Sequence, residues 1–446
     1  MPGELRVAVV GSGPSGLYVV DGLSRHGEVR TDVFERLPCP YGLLRYGVAP
    51  DHFKIKALTA VMARVLERPG VRFFGSVEVG RDVTVAELRQ HYDAVVYATG
   101  APCDRRLGVP GEDLHGSIAA GRLVSWYSGH PDADGSAMAL DASTVAVFGM
   151  GNVALDVARM LTRSVEDLRA TDVPDHVLEA LAASRIRDVH VIGRRGPLQA
   201  RFSTKELREI AELGQTDLVV RPEELVADDE ASAGPEPLRN LELFRQWSLQ
   251  PPSGRPRRIH FRFGWQPVGM LGSRSVRGVR LRRSSHTGPD GRAAAEAVLD
   301  ARLAIRAVGY RGTALPDVPF DDVRGVIPHV EGRVRRDGAH SPGEYVVGWI
   351  KRGPNGVIGT NKADAQETVA TLLGDRESLP VAPIRDDDAI SRLLAGRSVP
   401  VTWGHWKSID AAEIELGRRR GAARVKIASW DELLAGARHT PNPTVA

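Results

Sequence analysis

Two apolar strands that each run into a glycine-rich turn and a helix, followed by strands ending in opposite charge, predict an α/β chain with two Rossmann-like dinucleotide-binding units. The first turn is Gly11-Ser12-Gly13-Pro14-Ser15-Gly16, directly after Leu5-Arg6-Val7-Ala8-Val9-Val10. The second is Gly149-Met150-Gly151-Asn152-Val153-Ala154, directly after Thr144-Val145-Ala146-Val147-Phe148. In each, the first glycine permits the tight turn and the second lets backbone approach a pyrophosphate. The third position, Gly or Ala, lets helix and strand pack closely. The helix N-terminus then offers unpaired N–H groups to phosphate. One such turn is weak evidence. Two argue for two bound dinucleotides, and two dinucleotides side by side imply electron traffic.

The strand after the first turn, Thr31-Asp32-Val33-Phe34, ends in Glu35, at the spacing where a carboxylate accepts from a ribose 2′-hydroxyl. That suits FAD or NAD. The strand after the second, Asp188–Gly193, ends in Arg194-Arg195. Two guanidinium groups suit a 2′-phosphate, so this unit reads as the NADP(H) site. The interval from Gly149 to Arg194 is long, which requires a helical insertion around Glu166 to Ala183.

The remaining elements follow in order. A helix covers Ser15–His26 and another Phe53–Glu67; strands cover Val71–Phe74 and Asp93–Thr99, the latter stopping at Gly100. A Pro/Gly-rich crossing from Pro102 to Gly116 leads to the second turn. Residues 161–183 and 203–213 are helical by periodicity, and 228–256 reads as a surface loop flanking a short helix. Strands are expected at Ile259–Phe263, Val279–Leu281 and Ala297–Ala307. A turn at Arg352–Gly356 opens a helix over Asn361–Leu373, and 376–446 is charged, Pro-punctuated and weakly helical.

Composition narrows the function. A length of 446 residues favours two domains. A net charge of +3 is too small to argue for nucleic acid, and no apolar run approaches a membrane span. The first strand begins within a few residues of Met1, which leaves no room for a targeting segment, so a cytoplasmic location is expected. The two cysteines, Cys39 and Cys103, form no C-x-x-C pair and cannot supply the four thiolates of an iron–sulfur cluster. The thirteen histidines show no metal-ligand spacing, so no metal is expected.

Longer strings narrow it further. Tyr41–His52 (YGLLRYGVAPDH), Gly149–Arg159 (GMGNVALDVAR), Gly193–Glu209 (GRRGPLQARFSTKELRE) and Gly348–Lys362 (GWIKRGPNGVIGTNK) resemble the adrenodoxin-reductase-like ferredoxin–NADP reductases. The resemblance implies an NADP domain (106–325) inserted into a FAD domain (1–105 and 326–375), with 376–446 as an extension. It implies electron exchange between NADPH and a ferredoxin. It implies FAD contacts at Ser15, Glu35, Leu43, Val79, Trp349 and the Gly356-Val357-Ile358 turn, beside the cradle of Gly11, Gly13 and Gly16. NADP contacts are implied at Gly151, Asn152, Val153, Arg194, Arg195, Glu206 and Gly356, with Gly149 forming the turn. It further suggests that His52 and Glu209 approach each other near the nicotinamide, to orient it or relay a proton. Ser203 stands where the family commonly has threonine, a small polar exchange.

Two rival functions share these features. A flavin–NADPH module of a larger complex, like the small subunit of glutamate synthase, usually carries N-terminal cysteine clusters that this chain lacks. A non-catalytic NADP-binding sensor needs neither the flavin loop nor the Trp349–Ile358 turn. The segment Arg255–Arg283 holds nine arginines and no acidic residue. It reads either as a docking face for an acidic ferredoxin or as the solvated face of a β-hairpin, and the arginine bias of a chain with only seven lysines favours the second. The Arg201/Lys205/Arg208 helix is an equal candidate for the docking site.

Overall fold

The structure, a computed structural model, describes residues 4–133, 138, 140–225, 230–284, 295–356 and 358–438. Two sheets organise them. The first has seven strands in the order His329–Val330, Arg333–Arg336, Ala339–Val346, Ala94–Tyr97, Leu5–Val10, Val29–Phe34, Val71–Phe74. Its five members from Ala339–Val346 onward pair in parallel. The second has six strands in the order Ser117–Ala119, Leu303–Arg306, Thr144–Phe148, Asp188–Gly193, Arg257–Phe263, Thr216–Val220, all parallel. Parallel strands covered on both faces read as continuous apolar runs, as Val7–Val10 and Val145–Phe148 do, and all of these are buried.

The chain leaves the first sheet and returns to it through a two-stranded ribbon that pairs Cys103–Asp104 with Tyr310–Arg311. Between these points lie the six-stranded sheet and a smaller antiparallel sheet of Trp265–Leu271, Gly278–Arg283 and Glu296–Leu299. The expected single strand over 297–307 is therefore two, Glu296–Leu299 and Leu303–Arg306, in different sheets. The expected insertion is present as helices Val165–Arg169 and Asp175–Ala182.

Two expectations need correction. Within 228–256, the helix runs Pro235–Ser248, fourteen residues with Leu241, Phe244 and Trp247 buried. Residues 376–446 contain three helices in their described part, Ala389–Ala395, Trp403–Arg420 and Trp430–Arg438. The middle one starts at a Thr402 capping box and stops at Gly421, whose φ of 77° suits glycine. It buries Trp406 and Glu413 against the short helix Leu43–Tyr46, which contains Arg45. Glu413 takes the Arg45 guanidinium bidentately, at 2.9 Å for Nη1, and that guanidinium also lies 5.0 Å from the Trp406 ring. Lys426 donates to the Arg45 carbonyl at 2.6 Å and pairs with Asp172 at 3.2 Å, where Lys56 also binds at 2.7 Å. The extension is thus a buried clasp that joins the 41–56 loop to the insertion at Asp172.

Candidate functional site

The first glycine turn is the floor of a cradle on which four other segments converge. A Cβ on Gly11 would sit 2.5 Å from the Ala98 carbonyl oxygen, and Gly11 has φ 108°, so only glycine fits. Glu35 accepts from the Ser12 N–H at 3.0 Å, from its hydroxyl at 2.6 Å and from the Leu37 N–H at 3.1 Å. The Glu35 carboxylate thus also braces the turn at the strand end where a ribose would lie. The Gly42–Leu43 loop lies on Gly13: a Cβ on Gly42 would be 3.0 Å from the Gly13 Cα, and Leu43 is 46% exposed. Gly348, before Trp349, packs on Ser15, where a Cβ would be 2.3 Å from the hydroxyl. Val79 is buried in the segment after Val77, whose N–H bonds the Glu35 carbonyl.

This cradle fits a dinucleotide. Gly13 itself is open, the nearest atom to an added Cβ being 4.0 Å away. Trp349 Nε1 and Thr99 Oγ1, at two of its walls, are buried polar atoms without a hydrogen-bond partner among the described residues. Trp349 stacks on Tyr310 at 6.0 Å between centroids. Gly356 takes φ 85° just before Ile358, which is already the first residue of helix Ile358–Gly374; Val357 lies outside the described residues.

The second turn repeats the geometry. A Cβ on Gly149 would lie 2.2 Å from the Ala307 carbonyl oxygen, whereas one on Gly151 meets nothing within 4 Å. Helix Asn152–Thr162 starts here, and the Asn152 side-chain oxygen accepts from the Ser203 N–H at 2.9 Å, so Asn152 and Val153 stand at its first turn. Gly193 packs on Met150, which ties the end of strand Asp188–Gly193 to this turn. Arg194 and Arg195 follow it, exposed and with no carboxylate partner among the described residues. Such free guanidinium groups beside an open glycine suit a phosphorylated ribose. Arg201 is not on the helix where the sequence placed it: its N–H bonds the Met150 carbonyl at 2.6 Å, and the helix is Thr204–Ala211.

Between the cradles lies a charged cluster around His52. The loop of the first unit supplies Asp51 and His52; helix Asn152–Thr162 supplies Asp156 and Arg159; helix Thr204–Ala211, capped by Ser203, supplies Glu206 and Glu209. His52 Nε2 lies 3.0 Å from Asp156 Oδ1, 3.2 Å from Glu206 Oε2 and 2.6 Å from Arg159 Nη2, and His52 Nδ1 lies 3.8 Å from Glu209. Arg159 also holds Asp51 at 2.6 Å and Asp156 at 2.7 Å. Nε2 accepts from Arg159 when the ring is neutral and donates to Asp156 when it is protonated.

Burial works against an imidazolium, but the hydrogen bond and charge of Asp156, with Glu206 behind it, outweigh burial and Arg159 and raise the His52 pKa. Burial likewise raises Glu206, against the pull of His52 and Arg159. Asp51, Asp156, Glu206 and Glu209 face Arg159, the Arg163 that pairs with Asp51, and the Lys205 that pairs with Glu209, so carboxylates outnumber the fixed cations around His52. His52, Glu206 and Glu209 place possible ligand atoms within 4.8 Å of one another. The Arg159 guanidinium already occupies the cation position there, which opposes a metal ion.

His52, Glu206 and Glu209 are candidates from sequence, whereas Asp51, Asp156 and Arg159 join the site only in the fold. Asp156 and Arg159 are three apart on one helix face, and all three lay inside the strings that carried the resemblance. The arginine segment 255–283 is partly paired with carboxylates from elsewhere, whereas Arg274, Arg277 and Arg280 are exposed. Arg258 pairs with Asp188, Arg262 with Glu224 and Arg282 with Glu296, at 2.7–2.9 Å.

The chain is similar to several known proteins. A family model described as pyridine nucleotide-disulphide oxidoreductase matches residues 5–222. NADPH-ferredoxin reductase FprA of Mycobacterium tuberculosis (strain ATCC 25618 / H37Rv) is 44% identical over 450 residues, covering 96% of this chain and 98% of that protein. The mitochondrial NADPH:adrenodoxin oxidoreductase of Homo sapiens is 38% identical over 453 residues, covering 96% and 91%. The solved structure of Mycobacterium tuberculosis FprA in complex with NADPH superposes with a TM-score of 0.91 at 43% identity, covering 98% of this chain and 100% of that one.

Proposed function

Because the chain belongs to the family of NADPH–ferredoxin and NADPH–adrenodoxin reductases, we propose that it is a ferredoxin–NADP(+) reductase, passing electrons from NADPH through FAD one at a time to a small acidic ferredoxin. The family is one of oxidoreductases that use FAD and NADP(H). The single observation that supports the reading is the meeting of two unlike glycine cradles, one braced by Glu35 and one flanked by free arginines, at the His52 cluster. On this reading residues 1–105 and 326–375 form the FAD domain, 106–325 the NADP domain and 376–446 the extension. Among the described residues no helix is long and apolar enough to cross a membrane, and the reading takes the enzyme as cytoplasmic.

The chemistry that the bound cofactors supply is hydride transfer from nicotinamide to flavin and release of the electrons singly. The chain's part is placement. Gly11, Gly13, Ser15 and Gly16 bring backbone N–H groups to one pyrophosphate, and Gly149, Gly151, Asn152 and Val153 to the other. Leu43, Val79, Trp349, Gly356 and Ile358 would wall the flavin side. Arg194 and Arg195 grip the 2′-phosphate. Glu206 and Glu209 fix the approach of the nicotinamide, and His52 holds or moves a proton at Nε2. With two cysteines, the chain itself offers no cluster to receive the electrons.

A spectrum tests the proposal. Purified protein should be yellow, release one FAD on acid precipitation and bleach on addition of NADPH. Colourless protein that still binds NADPH would instead support the sensor reading.

A further inference from the structure

We propose that the exposed stripe centred on Phe53 and Val61, rimmed by Lys54, Arg64, Lys205 and Arg208, is the surface on which the acidic iron–sulfur acceptor docks. The inference rests on the reductase reading above and adds to it a place and an apolar anchor. Residues 53–66 form the short helix Phe53–Lys56 and the helix Leu58–Leu66, which follow each other almost without a break. Positions 53, 57, 61 and 64 fall on one face at helical spacing, and all four are exposed. Phe53 is 55% exposed and Val61 44%. An aromatic ring and an aliphatic side chain exposed on the same face offer two apolar anchors, and aromatic anchors carry a large share of binding energy at interfaces.

Charge identifies the occupant. No acidic residue lies between Asp51 and Glu67, and Lys54 and Arg64 are exposed with no carboxylate partner among the described residues. Phe53 directly follows His52, which lies 3.8 Å from Glu209, and Glu209 holds Lys205 at 3.4 Å. Arg208, the neighbour of Glu209, is exposed and likewise without a carboxylate. The stripe and helix Thr204–Ala211 therefore meet at the His52 cluster, where the two cradles converge. A partner seated there lies close to the electron donor, as transfer between proteins requires. A second copy of this chain would bring the same cations and be repelled, whereas an acidic protein is attracted and steered. Within 255–283, Arg258, Arg262 and Arg282 are each paired with a carboxylate, which weakens the field of that segment.

The test uses the holoenzyme and a small acidic [2Fe–2S] ferredoxin, with NADPH as donor and ferricyanide as a control acceptor. Phe53→Asp and, separately, Val61→Asp should each raise the KM for ferredoxin at least about tenfold and leave ferricyanide reduction unchanged. Arg258→Glu should change neither. A ferredoxin KM within twofold of wild type in both stripe variants would overturn the proposal while leaving the reductase reading intact. Wild-type enzyme that reduces ferricyanide but no ferredoxin would overturn both. A wild-type dimer that Phe53→Asp converts to monomer would assign the stripe to a second copy, and so overturn it too.

Discussion

His52, on the loop of the first unit, is held by side chains from two helices of the second, and that placement fixes its acid–base behaviour. Asp156 and Glu206 outweigh burial and the Arg159 guanidinium, so the folded-state pKa lies above the ordinary value near 6.5. A value raised on folding gives stabilisation that is complete below about pH 6.5 and lost as pH rises through the folded value. An NMR titration of the holoenzyme should place the His52 midpoint above that of a free histidine, and Asp156→Asn should bring it down; a wild-type midpoint at or below the ordinary value would refute the arrangement. Arg194 and Arg195 are read at the same scale. Each charge-assisted hydrogen bond is worth roughly 1.5–3 kcal/mol, so the pair should favour NADPH over NADH by about two orders of magnitude in kcat/KM. Changing both to Ala should raise the KM for NADPH and spare that for NADH. Equal losses with both coenzymes would show that they do not read the 2′-phosphate.

At the scale of elements, the two glycine turns separate folding from binding. Gly149 cannot carry a Cβ because the Ala307 carbonyl stands 2.2 Å away, but Gly151 has open space and ordinary extended backbone. Gly151→Ala should therefore leave the thermal midpoint within about 1 °C, an effect well under 1 kcal/mol, while weakening NADPH binding at least tenfold in a titration; unchanged affinity would mean that no pyrophosphate crosses there. The clasp makes the opposite kind of statement. Glu413→Gln leaves the Arg45 guanidinium buried without its counter-charge, which should cost about 3–5 kcal/mol in a denaturant titration. A loss under about 1 kcal/mol would show the clasp to be ornamental. The turns were readable from sequence because their steric logic is local: strand, glycine, helix. The clasp was not, because Glu413 and Lys426 find their partners, Arg45 and Asp172, hundreds of residues earlier. Helix Pro235–Ser248 was underestimated because its prolines and charges dilute a buried face of Leu241, Phe244 and Trp247. The 297–307 run looked continuous because both halves are apolar, and only pairing assigns them to different sheets.

At the scale of the molecule, two sheets joined by the Cys103–Asp104/Tyr310–Arg311 ribbon place two cradles against one charged seam, and the C-terminal clasp ties that seam from behind. The open glycines of the two cradles suit a dinucleotide each, and the exposed cations fit an external acceptor. In the sequence, the cradles and the charge at each strand end were visible, but Asp51, Asp156 and Arg159 gained meaning only when the fold brought them to His52. The most direct measurement is anaerobic single turnover: holoenzyme mixed with one equivalent of NADPH, then with two equivalents of acidic ferredoxin, while flavin and cluster absorbance are followed together. The account predicts that the flavin band bleaches on the first mixing and returns on the second as two clusters are reduced. A flavin that bleaches but stays reduced in the presence of oxidised ferredoxin would contradict it.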